Sequence, residues 1–292
     1  MAILMFVVKL KLKKPAVVYM LNLASADVLL ASVLPFKISY HFSGHNWTFG
    51  PEMCRIVTAT FYCNMYCSML LMTAISTDRF LAVVYPMQAL SWRTVRRASV
   101  VCSVIWLVAI AGVIPLLITE QTKRIPQLNI TTCLDVMEFS VIMKMFRYYF
   151  PAITVFFFFI PVIISTTCYV CIIKNLSSSE ITATEPGKKR RAILLSVAVL
   201  CSFILCFGPT NVFVLVQSLF LPPDQPPKSL SYAIMLSVCI STINCCIDPL
   251  IYYYAYSGCR RKVKKLLCCK EHSELGKGSQ TTSSNMATFS SE

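Results

Sequence analysis

Apolar residues fall into six long runs separated by short polar and basic connections, and that pattern organises the whole chain. A helix needs roughly 20 predominantly apolar residues, at about 1.5 Å rise each, to cross a bilayer. Six stretches reach that length: Ala16–Phe42, Ile56–Tyr85, Ala98–Ile118, Phe146–Ile173, Ala192–Leu221 and Leu230–Tyr256. The apolar stretch Met1–Val8, MAILMFVV, precedes them. It would be about 12 Å long as a helix, too short to span alone. The pattern therefore predicts an all-α membrane protein, a seven-helix bundle whose first helix is incomplete.

Charge sets the orientation. Basic clusters occupy alternate connections: Lys9, Lys11, Lys13 and Lys14; Arg93, Arg96 and Arg97; Lys188, Lys189, Arg190 and Arg191; and Arg260, Arg261, Lys262, Lys264 and Lys265. All four then lie on one side, which the positive-inside rule makes cytoplasmic. The opposite connections carry two N-x-T acceptor sequons, at Asn46 and Asn129. The outer loop Thr119–Met145 is long enough to hold structure of its own. The expected division is a membrane region over residues 1–269 and a Ser/Thr-rich disordered cytoplasmic tail over 270–292. Counting spans back from that tail places the start of Ala16–Phe42 inside the cell. Met1–Val8 then reads as the inner end of an earlier helix whose beginning is missing.

Composition agrees. The 292 residues are 56% hydrophobic and 14% charged, with a net charge of +14, against about 45–50% and 25% in soluble domains. Placed on the cytosolic face, the basic excess suits anionic lipids and acidic partners rather than nucleic acid. No zinc spacing or Gly-rich phosphate loop is visible. His41, His45 and His272 lie outside the membrane interior with no matched nucleophile, which argues against an enzyme. No internal repeat of the transporter kind is seen.

Within the spans, a few residues are costly enough to need a reason. Asp27 and Asp248 sit deep in apolar runs, where a charge costs roughly 2.5–3.5 kcal/mol on insertion scales. Two such carboxylates can share a cation or protons, with Ser68 and Asn244 completing an oxygen shell. Asp78 and Arg79 end the second full span, where the pair can close a local ion pair. Pro35, Pro115, Pro161, Pro209 and Pro249 predict kinks, and Phe207 stands just before Pro209 as a bulky residue at a hinge. Cys54 opens the second span on the outer side and Cys133 lies in the outer loop. The oxidising exterior favours a disulfide between them. Cys268 and Cys269 follow a basic amphipathic stretch and suit palmitoylation.

Taken in order, Asp27 in LASAD, Cys54, Asp78-Arg79-Phe80, Trp106, Pro161, Cys206-Phe207-Gly208-Pro209 and Asp248-Pro249-Leu250-Ile251-Tyr252 resemble the rhodopsin-like G-protein-coupled receptors over nearly the whole chain. Phe80, Phe207 and Asp248 depart from that family's commonest residues. These variants resemble the branch that holds nucleotide, lipid-mediator and protease-activated receptors, and the stretches FYCNMYCSMLLM and LNITTCLDV are similar to the protease-activated (thrombin) receptors within it.

The resemblance implies a plasma-membrane receptor that passes binding of a tethered peptide to heterotrimeric G proteins. A serine protease would release that peptide from an outer segment before the first helix. It implies a ligand site near Asp135, Glu138, Tyr62 and Tyr66, although Leu134 stands where the branch has His. The activation switch would comprise Asp78, Arg79, Phe207, Pro209, Pro249 and Tyr252. Arg79, Arg93, Lys188, Lys189 and Arg190 would face the G protein, and arrestin and receptor kinases would act on the tail. A sodium ion held by Asp27, Ser68, Asn244 and Asp248 would be the only bound group. Nucleotide or lipid-mediator receptors, a non-signalling dimer partner, and a transporter are the alternatives. Phe61 and Thr242 stand where amine and light receptors carry Asp and Lys.

Overall fold

The computed structural model describes residues 15–134, 145–178, 186–220 and 228–255. Helix α1 covers Pro15–Phe42, α2 Pro51–Val84, the short α3 Pro86–Trp92 and α4 Val95–Ile118. A two-stranded antiparallel hairpin follows, β1 Thr122–Ile125 and β2 Ile130–Cys133. The next helical run, α5, joins a π turn Met145–Tyr149, Phe150–Thr154, a second π turn Val155–Phe159 and Ile160–Ser178. Helix α6 covers Pro186–Phe220 and α7 Lys228–Ala255. The chain divides into two compact units, residues 1–248 and 249–292, and the described part of the second is the helical stretch ending at Ala255.

Among the described residues, five helical stretches are long and apolar enough to cross a membrane, and Tyr232–Asp248 is a shorter apolar one. Lipid can solvate the apolar flanks that α4 exposes at Val100, Leu107, Ile110 and Ile114. A backbone inside lipid must satisfy its own polar groups, which only the helix does within one segment. The hydroxyls in these spans follow the same logic. Ser25, Thr73, Ser76 and Thr77 each donate to the carbonyl four residues back.

Helix α2 lies at the centre, packed against α1, α4, α5 and α6. The indole nitrogen of Trp106 on α4 donates to Asn22 Oδ1 on α1 at 3.1 Å. Proline shapes α5: its two π turns end two residues before Pro151 and Pro161. A missing N–H breaks the regular i→i−4 ladder, and a π turn is one way the helix absorbs the gap.

Gly112 on α4 marks the closest approach. A Cβ there would lie 3.0 Å from Phe157 Cζ and 3.1 Å from Cε2. That ring is buried and stacks on Tyr66 at 4.4 Å, while the Tyr149 hydroxyl donates to the Gly112 carbonyl at 2.8 Å. Gly112→Ala is expected to cost about 1–3 kcal/mol by overpacking, read as a lowered Tm of the purified protein in detergent.

Candidate functional site

Three layers of side chains along α2 carry the chemistry. At one end, Cys54 and Cys133 form a disulfide with Cα atoms 5.9 Å apart, tying α2 to strand β2. The hairpin is pinned further. Trp47 N donates to Thr131 O at 2.7 Å, Thr131 N donates to Asn46 Oδ1 at 3.1 Å, and Cys133 N donates to the Tyr40 hydroxyl at 3.3 Å. Leu30, Val33, Tyr40, Trp47, Val57 and Phe61 form the apolar cluster under this cap. The two sequon asparagines therefore differ. Asn129 is exposed at the hairpin tip with φ 50°, its oxygen accepting only from the Arg124 side chain at 3.3 Å among the described residues, while the half-buried Asn46 oxygen accepts from the hairpin backbone.

Tyr62 and Tyr66 share one face of α2, with ring centres 6.1 Å apart. Tyr66 is buried against Phe157; Tyr62 is half-buried and reaches Phe150 at 6.4 Å. Of the pair, Tyr62 has the free surface.

The middle layer is polar inside apolar surroundings. Asp27 on α1, Ser68 on α2, and Asn244 and Asp248 on α7 each bury an oxygen that has no hydrogen-bond partner: Asp27 Oδ1, Ser68 Oγ, Asn244 Oδ1 and Asp248 Oδ1. Asn244 Nδ2 donates to the other oxygen of Asp248 at 2.8 Å. The charges of Asp27 and Asp248 act on one another. Asn64 and Cys245 approach the Asp27 carboxylate closely enough to interact. The Asn64 approach falls short of hydrogen-bond geometry and leaves its Nδ2 without a partner. Orphaned buried polar atoms cost roughly 1–3 kcal/mol each, and four orphan oxygens make a donor set that fits a small hard cation. Asn64 was not singled out from the sequence. Its signal was a second polar residue one turn before Ser68 in FYCNMYCSML.

The inner layer corrects one expectation. Asp78 pairs with Arg93, not with its neighbour Arg79. Arg93 Nε donates to Asp78 Oδ1 at 2.8 Å and Nη2 to Oδ2 at 2.6 Å. Adjacent residues on a helix point in different directions, so the carboxylate turns to a partner fifteen positions on. The short helix α3 makes this possible by folding the chain back to the end of α2, and Thr94 then caps α4 by accepting from Arg97 N. Arg93, which remains 29% exposed, is thus held to Asp78 by two hydrogen bonds. Its pair lines a crevice of 560 Å³ with Tyr19, Thr77, Trp92 and Arg97. Arg79 is half-buried beside Tyr169, whose hydroxyl lies in hydrogen-bond contact with Ser76 Oγ at 2.8 Å.

Above that layer, Phe207 is buried and meets Phe203 edge-on at 5.8 Å, and Phe203 stacks on Phe158 of α5 at 5.9 Å. Asn211, two residues past Pro209, donates to the Phe207 carbonyl at 2.9 Å. Asp135, Glu138, Cys268 and Cys269 lie outside the described residues. So do the side chains of Lys188, Lys189 and Arg190 on the first turns of α6, and of Pro249 and Tyr252 on α7.

A bundle of long apolar helices with a disulfide-tied hairpin at one end, a buried carboxylate pair and an Asp–Arg ion pair towards the other fits a multi-pass membrane protein. The sequence profile of the 7 transmembrane receptor (rhodopsin family) matches residues 1–252, and the chain belongs to that family of signalling receptors, which are not enzymes. It is 58% identical over 294 residues to proteinase-activated receptor 1 of Homo sapiens, an alignment covering 100% of this chain and 69% of the human protein. It is 57% identical to the same receptor of Xenopus laevis over 94% of this chain and 64% of that protein. Proteinase-activated receptor 2 of Rattus norvegicus is 38% identical over 92% of the chain and 68% of that receptor. The protein is a receptor of the proteinase-activated kind.

Proposed function

We propose that this receptor sits in the plasma membrane with its basic ends in the cytosol, and that it answers a protease-exposed peptide at its outer mouth by activating heterotrimeric G proteins. The observation that carries this reading is the 58% identity to a proteinase-activated receptor over the whole chain. The disulfide-tied hairpin supports it, since Cys133 is anchored at the end of α2 and Asp135 follows two positions later in the sequence. A peptide's ammonium there would gain a charge-assisted hydrogen bond from Asp135, with Glu138 close in sequence and Tyr62 supplying an apolar wall with a hydroxyl.

At the inner end, a G-protein helix would enter a groove lined by Arg79 and the basic start of α6. Helix α3 adds a feature not foreseen from sequence. Met87 is 81% and Leu90 80% exposed, an apolar pair beside the Asp78–Arg93 lock. Release of that lock, a swing of α6 at Pro209 and movement of Tyr252 would form the active state. The middle layer would hold a sodium ion through Asp27, Ser68, Asn244 and Asp248. The ion would supply the positive charge that two buried carboxylates lack. Glycans on Asn129 and Asn46, palmitate on Cys268 and Cys269, and arrestin and kinase action on the tail complete the reading.

The test is a short agonist peptide with a free amino terminus, applied to membranes from cells expressing the chain, with nucleotide exchange on G protein as readout. Asp135→Ala is expected to weaken peptide potency roughly 10–100-fold at unchanged surface expression. An unaltered response would remove Asp135 from the site, and no response from the parent chain would overturn the reading.

A further inference from the structure

The outer end of α1 carries two histidines that the receptor reading does not use. Helix α1 stops in a double hydrogen-bonded cap. His45 N donates to Tyr40 O at 3.1 Å and Gly44 N donates to His41 O at 3.3 Å, the 6→1 and 5→2 bonds of a Schellman motif. The motif needs left-handed backbone, and Gly44 supplies it at φ 65°. The next residue is also left-handed, at φ 62°, and it is a histidine. A side chain held there is strained, and such strain gathers at functional positions. The turn carries the His45 ring back over the helix end. Its centre lies 5.0 Å from that of His41, with the planes at 87°. Both residues are exposed.

We propose that His41 and His45 form a binding site for zinc, with water completing its coordination. Two imidazoles on one tetrahedral zinc, with Zn–N of about 2.0–2.1 Å, hold their ring centres about 5 Å apart. The ring spacing here matches that arrangement. No group of three or more His, Cys, Asp or Glu side chains poised for a metal occurs among the described residues. The site therefore has two protein ligands and open positions. Imidazole donors favour zinc, copper and nickel over magnesium and calcium.

The position gives the metal something to act on. Tyr40 contacts both rings, at 5.5 Å and 5.2 Å. Its hydroxyl accepts from Cys133 N, and its ring packs on Trp47 at 5.8 Å. A metal joining the two histidines braces the end of α1 against the disulfide-tied hairpin.

The test uses the purified 292-residue chain in detergent, titrated with zinc chloride while thermal unfolding is followed. Zinc is expected to raise Tm saturably, and magnesium or calcium at the same concentration to leave it unchanged. His41→Asn and His45→Asn each reduce the site to one imidazole and should weaken zinc roughly 100-fold. Asparagine tolerates the left-handed backbone, so His45→Asn keeps the cap. Competition with a chromophoric chelator gives the affinity directly for any variant whose metal-free Tm moves. Absence of a zinc effect in the parent chain overturns the site. So does an effect that survives in both variants, which would put the metal on cysteines or on His272. The readout is binding, so failure here leaves the receptor function standing, and failure of that function leaves the metal site standing.

Discussion

Replacing Arg93 with alanine is expected to raise agonist-independent G-protein activation by at least several-fold. The Asp78 carboxylate is 7% exposed and takes both of its hydrogen bonds from one guanidinium, which is 29% exposed. Removing one partner of a fully buried pair costs roughly 3–5 kcal/mol, and the partial exposure of Arg93 brings the estimate to about 2 kcal/mol. If the locked state alone loses that amount, the ratio of locked to released receptor shifts by roughly 30-fold. Nucleotide exchange measured without peptide reads the change. Asp78→Asn should act in the same direction, and the double variant should add little, because both changes remove one interaction. A G-protein contact made by Arg93 predicts the opposite: basal and peptide-driven exchange would fall together in Arg93→Ala and stay normal in Asp78→Asn. Unchanged basal exchange in both single variants would remove the lock.

Sodium dependence should separate the carboxylate pair from an ordinary polar cluster. Asp27 and Asp248 face one another's charge in an apolar layer, and each has an oxygen with no hydrogen-bond partner. A ligand that binds only the folded state stabilises it by mass action. The Tm of the parent chain should therefore rise as sodium chloride replaces choline chloride at constant ionic strength. Asp27→Asn and Asp248→Asn should flatten that dependence. In sodium-free buffer each should melt at or above the parent temperature, because one of two like charges in a low-dielectric site is gone. Equal sodium slopes in all three proteins would show that these oxygens do not hold the ion.

The spans were legible because bilayer thickness leaves few choices. Their edges fell within a few residues of the helices, apart from Pro51, which starts α2 five residues earlier than Ile56, Ser178, which ends α5 five residues after Ile173, and Pro186, which starts α6 six residues before Ala192. The disulfide was legible because only two outer cysteines stood in suitable places. The partner of Asp78 was not. A neighbouring arginine looks sufficient in one dimension, and only the fold-back at α3 shows that Arg93 arrives with a planar fork. Helix α3 itself was hidden because PMQALSW is too short for periodicity to register. The π turns in α5 were also hidden. A proline announces a break but not how the helix absorbs it. Asn64 and Asn211 were passed over for a related reason: one amide in a long apolar run reads as tolerated until its facing side chain is known.

Helix α2 is 34 residues long and carries Cys54 at one end and Asp78 near the other. Those two residues are about 36 Å apart along a straight helix axis. Anchored by a covalent bond at the top and an ion pair at the bottom, the helix behaves as a lever. A tilt of roughly 3° about its upper anchor would carry the carboxylate about 2 Å, enough to part a pair that meets at 2.6 Å. A small displacement at the disulfide end would thus reach the Asp78 end without any bend in the rod between them.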